Sequence, residues 1–466
     1  MQSHLGGRGA RTPRRPAFAR KGRCAGRAVA LAVVVLLHTA DVTAATPPQP
    51  RVITLDAALD AAKKLQPQLR QARAATEGAR AAAAEARAPL LPQAMLSLTY
   101  ERTTANFFSR PGTLPPGTTG AGTRAAGSWK TFNYFNGGAT LNQLLWDFGQ
   151  TTGRYRAAKV QTEAQVESER AVTRQVTLSV RSAYFTASTN KALVGVAEET
   201  LRNLESHLTQ TQAFVSVGTA PEIDLAQARA DVANGQAMLV SARNNYLLAK
   251  AQLNQAVGWT AGLDYEVADT PAAPVEGEDA PLEQLETEAL QARPELAALQ
   301  RQVEAQRLTV GALKGAFGPT LAGSVSATSG GTTLSALGWN VAAGLSLDWP
   351  IFQGGLTRAQ VRQAEATEAQ LSAELDTQRL QVRAELEQAR LGVHAARASL
   401  DAQHDAVISA RERLRLAQGR YETGVGSGVE LGDAQVALTS AEAQWVQAAG
   451  QLATARAQLL HALGRW

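Results

Sequence analysis

The sequence has few of the residues that build a large globular core or carry common chemistry. Aromatic residues make up 5% of its 466 residues, and Cys24 is the single cysteine. No stretch offers about 18 uninterrupted apolar residues, the length that a membrane-spanning helix needs. The sequence shows no nucleophile–base set, glycine-rich phosphate loop or metal-ligand spacing. These absences argue against a helical membrane transporter and an enzyme, and we expect no cofactor and no bound metal.

Positive charge is concentrated at the amino terminus. The formal net charge is +5, but residues 1–45 hold eight Lys or Arg and one Asp. The remainder therefore has 38 (46 − 8) basic and 40 (41 − 1) acidic side chains, a net charge of −2. Because the excess of positive charge is confined to this segment, we expect no nucleic-acid partner.

The same amino-terminal segment has the order of a secretory signal. Its basic residues precede an apolar run, residues 28–37, and small residues surround Ala44 and Ala45. We therefore expect residues 1–45 to be a signal peptide. A membrane anchor is disfavoured because the run is short, and a twin-arginine signal because Arg14 and Arg15 lie too far upstream. Cys24 precedes the apolar run, so a lipid-modified cysteine is not expected.

A seven-residue apolar ladder dominates the second half of the chain. Its members are Leu386, Val393, Leu400, Val407, Leu414 and Tyr421. Small residues, mostly alanine, follow three positions after most of them, which is typical of a helix in a closely packed coiled coil. The ladder ends in a glycine-rich turn at residues 424–434.

The ladder and its turn occur twice. Subtracting 206 from each position gives another apolar series, Val180, Ala187, Val194, Leu201, Leu208 and Val215. The same shift relates Gly424 to Gly218 and Glu430 to Asp224. One long helical hairpin is therefore written twice, and the sequence predicts two tandem structural repeats.

Each repeat also contains two predicted strands ahead of its hairpin. The first repeat covers 52–259, with strands at about 94–102 and 132–146 and a hairpin at 154–255. A Pro-rich linker covers 260–285. The second repeat covers 286–466, with strands at about 320–328 and 339–349 and a hairpin at 358–463. The offset between repeats is predicted as 227 before the loop joining the strands and 204 after it, which pairs Phe148 with Phe352.

The predicted strands alternate apolar and polar residues, most regularly at 339–349. No spare apolar element exists to cover their apolar face. A transmembrane barrel resolves this, because lipid covers its outside while its lumen is wet. Four strands cannot close a barrel with a lumen, so several copies must combine their strands.

With these features the chain resembles the TolC-like outer-membrane efflux proteins. The strand-to-helix junctions LLWDFGQTTGR (144–154) and LDWPIFQGGLTR (347–358) carry the resemblance, together with the turns at 218–228 and 424–434. It covers about residues 52–466. The resemblance implies a mainly α protein with transmembrane β-strands, forming a homotrimeric, 12-stranded β-barrel on an α-helical tunnel that crosses the periplasm.

The resemblance also implies a function and partners. The chain would be the outer-membrane channel of a tripartite efflux or type I secretion system, a passive exit duct in the outer-membrane lipid of a Gram-negative bacterium. Its partners would be a periplasmic adaptor protein and an inner-membrane transporter of the RND, ABC or MFS type. The alternative is a periplasmic coiled-coil adaptor, but adaptors carry one hairpin between compact β domains.

By the same resemblance, four residues would form the gate at the periplasmic mouth. Glu430 and Asp433 would ring the constriction, while Tyr421 would donate its hydroxyl to Asp224 as a latch. A basic latch residue of the family is replaced here by Gly426.

The resemblance further places Gly218 and Gly424 at the hairpin tips that dock the adaptor. Each gate and tip residue also has a structural explanation. Carboxylates favour helix amino termini, Tyr421 is a rung of the ladder, and glycine suits tight turns. The histidines, including His207 and His404, are interpreted as solvated helix positions.

Overall fold

The computed structural model describes residues 51–104, 129, 131–219, 221–260 and 262–465. The predicted signal peptide lies outside the described residues, as does most of the loop after the first long strand. The helices of the first repeat are α1 Leu55–Leu65, α2 Pro67–Arg87, α3 Gln150–Ser216 and α4 Glu222–Val257. Those of the second are α5 Leu282–Ala292, α6 Pro294–Gly315, α7 Leu356–Glu422 and α8 Gly428–Leu463. The strands are β1 Arg51–Ile53, β2 Gln93–Thr104, β3 Thr131–Trp146, β4 Tyr265–Val267, β5 Thr320–Gly331 and β6 Gly338–Asp348.

Proline and glycine set the limits of these helices. Pro67 and Pro294 occupy first helical positions, where the missing N–H costs nothing, and they separate α2 from α1 and α6 from α5. The two longest helices each have 67 residues, or about 100 Å at 1.5 Å per residue. Both follow a glycine at positive φ, Gly149 and Gly355, and both returning helices end at such a glycine, Gly258 and Gly464.

The structure corrects the predicted offset between the repeats. Helices α1 and α5 begin 227 residues apart (282 − 55), but α3 and α7 begin 206 apart (356 − 150). The strand register agrees, because Gln93 faces Asn142 while Thr320 faces Asp348. The predicted value of 204 was wrong because it matched Phe148 to Phe352 by residue type. The counterpart of Phe148 is Gly354, which has the same left-handed backbone.

Two apolar clusters form the core at mid-height of the helices. One joins α1, α3 and α4 to β1 and β4, and includes Val180, Tyr184, Leu253, Val257 and Val267. The other lies where α7 and α8 meet α5 and α6, and includes Leu285, Leu296, Leu386, Val393 and Leu459. Val180 and Leu386 are counterparts in the two ladders and both are fully buried. The ladder therefore marks the packed seam of each hairpin.

The connecting segment between the repeats is more structured than a plain linker. Strand β4 pairs in parallel with β1, and α5 begins inside the segment predicted as linker. One cation from each returning helix holds this segment, a buried lysine in the first repeat and an arginine, 12% exposed, in the second. The Lys250 Nζ donates to the carbonyls of Leu263 and Tyr265 at 2.8 and 3.2 Å. Its counterpart Arg456 forms a two-point pair with Glu278 at 3.0 and 3.1 Å.

The long strands form an antiparallel sheet in the order β2-β3-β5-β6. Residues that pair across the sheet lie on the same face, so the alternation of apolar and polar residues continues from strand to strand. One row joins Leu96, Ala139, Ala327 and Val341 on one face, and the next joins Ser97, Gly138, Thr328 and Asn340 on the other. The sheet is therefore apolar on one face and polar on the other, and β2 and β6 are exposed along most of their length. No helix in the described ranges is long and apolar enough to cross a membrane.

Candidate functional site

Every residue predicted for the gate lies close to the tip of one of the two helical hairpins. The first hairpin is α3 with α4, and its tip is the turn between Ser216 and Glu222. The second hairpin is α7 with α8, and its tip is the turn between Glu422 and Gly428. The sequence placed these residues at the tips, and the structure shows which of them lie together.

Gly218 and Gly424 have the same role in the two turns. Their φ angles are 78° and 73°, in the left-handed region that favours glycine. In each turn the glycine N–H donates to a carbonyl three residues back, at 3.0 Å. A Cβ at either position would meet nothing within 4 Å. The backbone angle therefore explains both glycines, while the open space around them leaves the tips accessible.

Glu430 lies in the first turn of α8, the returning helix of the second hairpin. The Ser427 hydroxyl caps α8 by accepting from the Glu430 N–H at 3.2 Å, which is the backbone half of a capping box. The Glu430 carboxylate lies 3.5 Å from the Arg420 guanidinium. Sequence reasoning missed Arg420, because the pair depends on how the turn folds back. Its side chain supplies a cation near the position where Gly426 has none.

The other two acidic residues have different surroundings. Asp433 is exposed, and no described residue forms an ion pair with it. Asp224 is 206 residues before Glu430 and, like it, lies in the first turn of its helix. Its carboxylate carbon is 3.7 Å from the place that a Cβ on Gly428 would occupy. The Asp224 carboxylate therefore lies against the amino terminus of α8, where the helix dipole favours negative charge.

Tyr421 contacts the first hairpin through its ring. The ring centroid is 5.7 Å from that of His207, at a steep interplanar angle of 67°, and 6.3 Å from that of Phe214. The predicted hydrogen bond from Tyr421 to Asp224 is absent between these two described residues. Asp224 lies over Gly428 instead, so the contact between hairpins here is aromatic. We call His207, Phe214 and Tyr421 the aromatic seam.

The burial of two residues of α3 near the tip, His207 and Thr211, was not predicted from the sequence. His207 was interpreted as solvated, but it is half-buried, and this burial lowers its pKa despite the opposing effect of Asp231 and Asp224. Thr211, one turn further along, is fully buried, and its hydroxyl has no partner among the described residues. Spacing did not indicate the burial of His207, because it depends on how the first hairpin packs on the second.

Both tips also expose aliphatic side chains. Val217, Ile223, Val425 and Val429 are between 70 and 74% exposed. Ile223 and Val429 are counterparts, each in the first turn of its returning helix. The described residues include no group of three or more His, Cys, Asp or Glu that could hold a metal.

Comparison with known proteins gives a consistent result. The family model described as outer membrane efflux protein matches residues 58–259 and 285–465. The chain is 29% identical to the outer membrane efflux protein BepC of Brucella suis over 70% of this chain and 72% of that protein. It is 27% identical to the outer membrane protein TolC of Escherichia coli, over 83% and 77% of the two chains. The crystal structure of the outer membrane protein VceC from Vibrio cholerae superposes with a TM-score of 0.73 at 20% identity, covering 88% of this chain and 96% of that one.

Proposed function

Because this chain belongs to the outer membrane efflux protein family, we propose that three copies form one channel, with a 12-stranded barrel above a helical tunnel. The chain is an outer-membrane efflux channel, as the resemblance predicted, and the adaptor alternative is not supported by these relatives. The single observation that carries the barrel proposal is the sheet, with two faces of opposite polarity and two open edges. The number of three copies comes from the resemblance to the family.

The sheet needs partners on both edges. Each edge strand, β2 and β6, presents unpaired backbone groups that a lipid environment would not satisfy. Joining β6 of one copy to β2 of the next satisfies both edges at once and closes a ring. The apolar face then meets acyl chains and the polar face lines the lumen.

The helices support the same assembly. One chain leaves large apolar side chains exposed on α4 and α7, at Val240, Leu248, Leu380, Leu391, Ile408 and Leu416. Scattered apolar residues are ordinary on a surface, but rows along two helices 36 and 67 residues long indicate contact surfaces. In a ring of copies these helices meet the neighbouring protomers and complete the tunnel wall.

The hairpin tips form the periplasmic mouth in this proposal. Glu430, Asp433 and Asp224 surround the mouth. When the mouth is closed, the aromatic seam holds the two hairpins together. Since Arg420 pairs with Glu430, Asp433 and Asp224 supply most of the negative charge. Such charge focuses cations at a narrow opening.

The same tips provide the docking surface for a periplasmic adaptor, which links the channel to an inner-membrane transporter. The four exposed aliphatic residues beside Gly218 and Gly424 offer apolar contact at the far end of each hairpin. A small apolar patch with a polar rim suits a reversible protein contact.

Disulfide cross-linking tests the closed ring. Leu98→Cys on β2 should be combined in turn with Val341→Cys, Ala343→Cys and Leu345→Cys on β6. At least one pair should give covalent dimers and trimers and nothing larger, and the purified trimer should conduct ions in planar bilayers. A ladder that extends beyond three copies, or no cross-link with any pair, would contradict the proposed barrel.

A further inference from the structure

His207 differs in kind from the other groups that hold the hairpins together. Its ring packs on Tyr421 across the two hairpins, and Phe214, one heptad along α3, contacts the same tyrosine. It is the seam residue whose ordinary pKa, about 6.5, lies near physiological pH. Its counterpart in the second hairpin, 206 residues on, is Arg413.

The charged groups around His207 affect how readily its ring is protonated. Helix α4 provides Asp224 and Asp231, which favour the protonated ring, and α7 provides the uncharged phenol of Tyr421. The Arg420–Glu430 pair at the second tip is neutral as a unit. Burial outweighs the two aspartates, so the pKa of His207 lies below its ordinary value while the seam is packed. The neutral ring is the form that the packed seam favours.

Part of the burial of His207 comes from the other hairpin, because its ring contacts that of Tyr421. Separating the hairpins would expose the His207 ring to water on that side. This would reduce the burial that lowers its pKa, so protonation would be easier in the open arrangement.

We propose that His207 makes the periplasmic mouth sensitive to pH, and that protonating its ring favours separation of the two hairpins. The sign follows from linkage. A base whose pKa is lowered in the packed state stabilises that state above its ordinary pKa, and the contribution is lost as pH falls from about 6.5 towards the lowered value. Each unit of difference in pKa between the two states changes the open-to-closed ratio by up to about tenfold per protomer. This inference rests on the proposed gate at the hairpin tips.

The test is conductance of the full-length trimer in planar bilayers at about pH 7.5 and about pH 5.5, where ordinary carboxylates stay ionised. The parent should conduct several-fold more at the lower pH. His207→Phe, which keeps a ring but cannot take a proton, should conduct equally at both, and His207→Arg should be open at both. His404→Phe is the matched control, because His404 also contacts an aromatic ring, Trp445, but lies outside the seam. It should retain the response of the parent.

A parent without a pH response, or a His207→Phe channel that retains it, would overturn the proposal. Tyr421→Ala at about pH 7.5 separates this failure from failure of the gate. If Tyr421→Ala raises conductance while no variant alters the pH response, the gate stands and the role of His207 falls. If Tyr421→Ala conducts as the parent does, the gate is misplaced, and the inference about His207 falls with it.

Discussion

The two hairpin tips share a backbone but carry different side chains. Their turns have glycines at equivalent positions with nearly equal φ angles, and their returning helices are both 36 residues long. On the outgoing helices, the first tip has Thr211 and Phe214 where the second has Ala417 and Arg420. The second tip is therefore held by aliphatic packing and an internal ion pair. The first carries an aromatic and titratable surface for contact with its partner hairpin.

Equivalent positions of the two repeats also carry different side chains at two other places in the molecule. At the strand-to-helix junction, Phe148 has a left-handed φ of 54° and packs its ring on Trp146, while its counterpart Gly354 has a φ of 60° without a side chain. In the connecting segment, Lys250 binds carbonyl groups where Arg456 binds a buried carboxylate. The two repeats therefore turn the backbone at equivalent positions, while the side chains at those positions make different contacts.

The largest difference between the repeats should appear when Lys250 and Arg456 are replaced by an uncharged residue. Arg456→Met leaves the Glu278 carboxylate, 7% exposed, with only the Val275 N–H at 3.0 Å and the Arg397 guanidinium at 3.8 Å. We expect a loss near the lower end of the about 3–5 kcal/mol that a buried charge without compensation costs. Lys250→Met leaves only carbonyl groups unsatisfied, so we expect about 1–3 kcal/mol. Chemical unfolding of the trimer in detergent, followed by circular dichroism, measures both, and equal losses would contradict the contrast.

The pH dependence of stability tests the Arg456–Glu278 pair separately. Burial alone would raise the pKa of Glu278, but the Arg456 guanidinium and the Val275 N–H hold it below its ordinary value. A carboxylate with a lowered pKa contributes stability that is present above about pH 4 and lost as pH falls through the folded-state pKa. Glu278→Gln combined with Arg456→Met should remove this acid-dependent part of the unfolding free energy. If the double variant keeps the full acid dependence of the parent, the pair is not its source.

The two faces of the sheet should differ in their tolerance of substitution. Leu345 lies on the apolar face, so Leu345→Arg should cost about 2–4 kcal/mol if it is near mid-bilayer. Asp348 lies on the polar face, and its counterpart in the first repeat is Asn142. Asp348→Asn should therefore assemble like the parent. The measure is the fraction of heat-resistant trimer in membranes, and equal tolerance of the two substitutions would contradict the assigned faces.

Substitutions at the two strand-to-helix junctions should change the free energy of unfolding less, and by unequal amounts. Gly354→Phe should cost about 1–2 kcal/mol, because a side chain is placed on left-handed backbone. Phe148→Gly relieves that cost but loses the edge-to-face contact with Trp146, worth about 0.5–1.5 kcal/mol, so the net change should be near zero. Unfolding free energies of the two variants test this, and a larger loss for Phe148→Gly would show that packing outweighs backbone strain.

The smallest effect should come from copying one tip residue to the other. Thr211→Ala gives the first hairpin the residue of the second, Ala417, and removes the hydroxyl without a partner. We expect about 1 kcal/mol of added stability in the first hairpin, measured as the free energy of unfolding. Thr211→Val keeps the shape without the hydroxyl and should act in the same direction. A loss of stability with both variants would mean that the hydroxyl stabilises the folded hairpin.

The sequence was enough to predict the repeat, the long helices and the long strands, because each has a clear period and is bounded by proline or glycine. Leu386 and Val180 were assigned to the buried seam from spacing alone, and both are fully buried. The strands β1 and β4 were missed, because each has three residues and they pair across about two hundred positions of chain. The offset error arose because residue type was used where backbone conformation decides the match.

The candidate site was predicted in position but not in its contacts. The glycines and the first-turn acids identify the tips, since turns and helix starts are local features. The partners of Tyr421 and Glu430 are not local, because they depend on which faces of the two hairpins meet. His207 and Arg420 therefore became evident only in the structure.

The most direct test of this account is the conductance of Tyr421→Phe and Tyr421→Ala beside the parent in planar bilayers at neutral pH. If aromatic packing closes the mouth, the parent should form pores of low conductance. Tyr421→Phe should match it because the ring is kept, and Tyr421→Ala should conduct several-fold more. A Tyr421→Phe channel as open as Tyr421→Ala would show that the hydroxyl holds the mouth closed and would contradict the account.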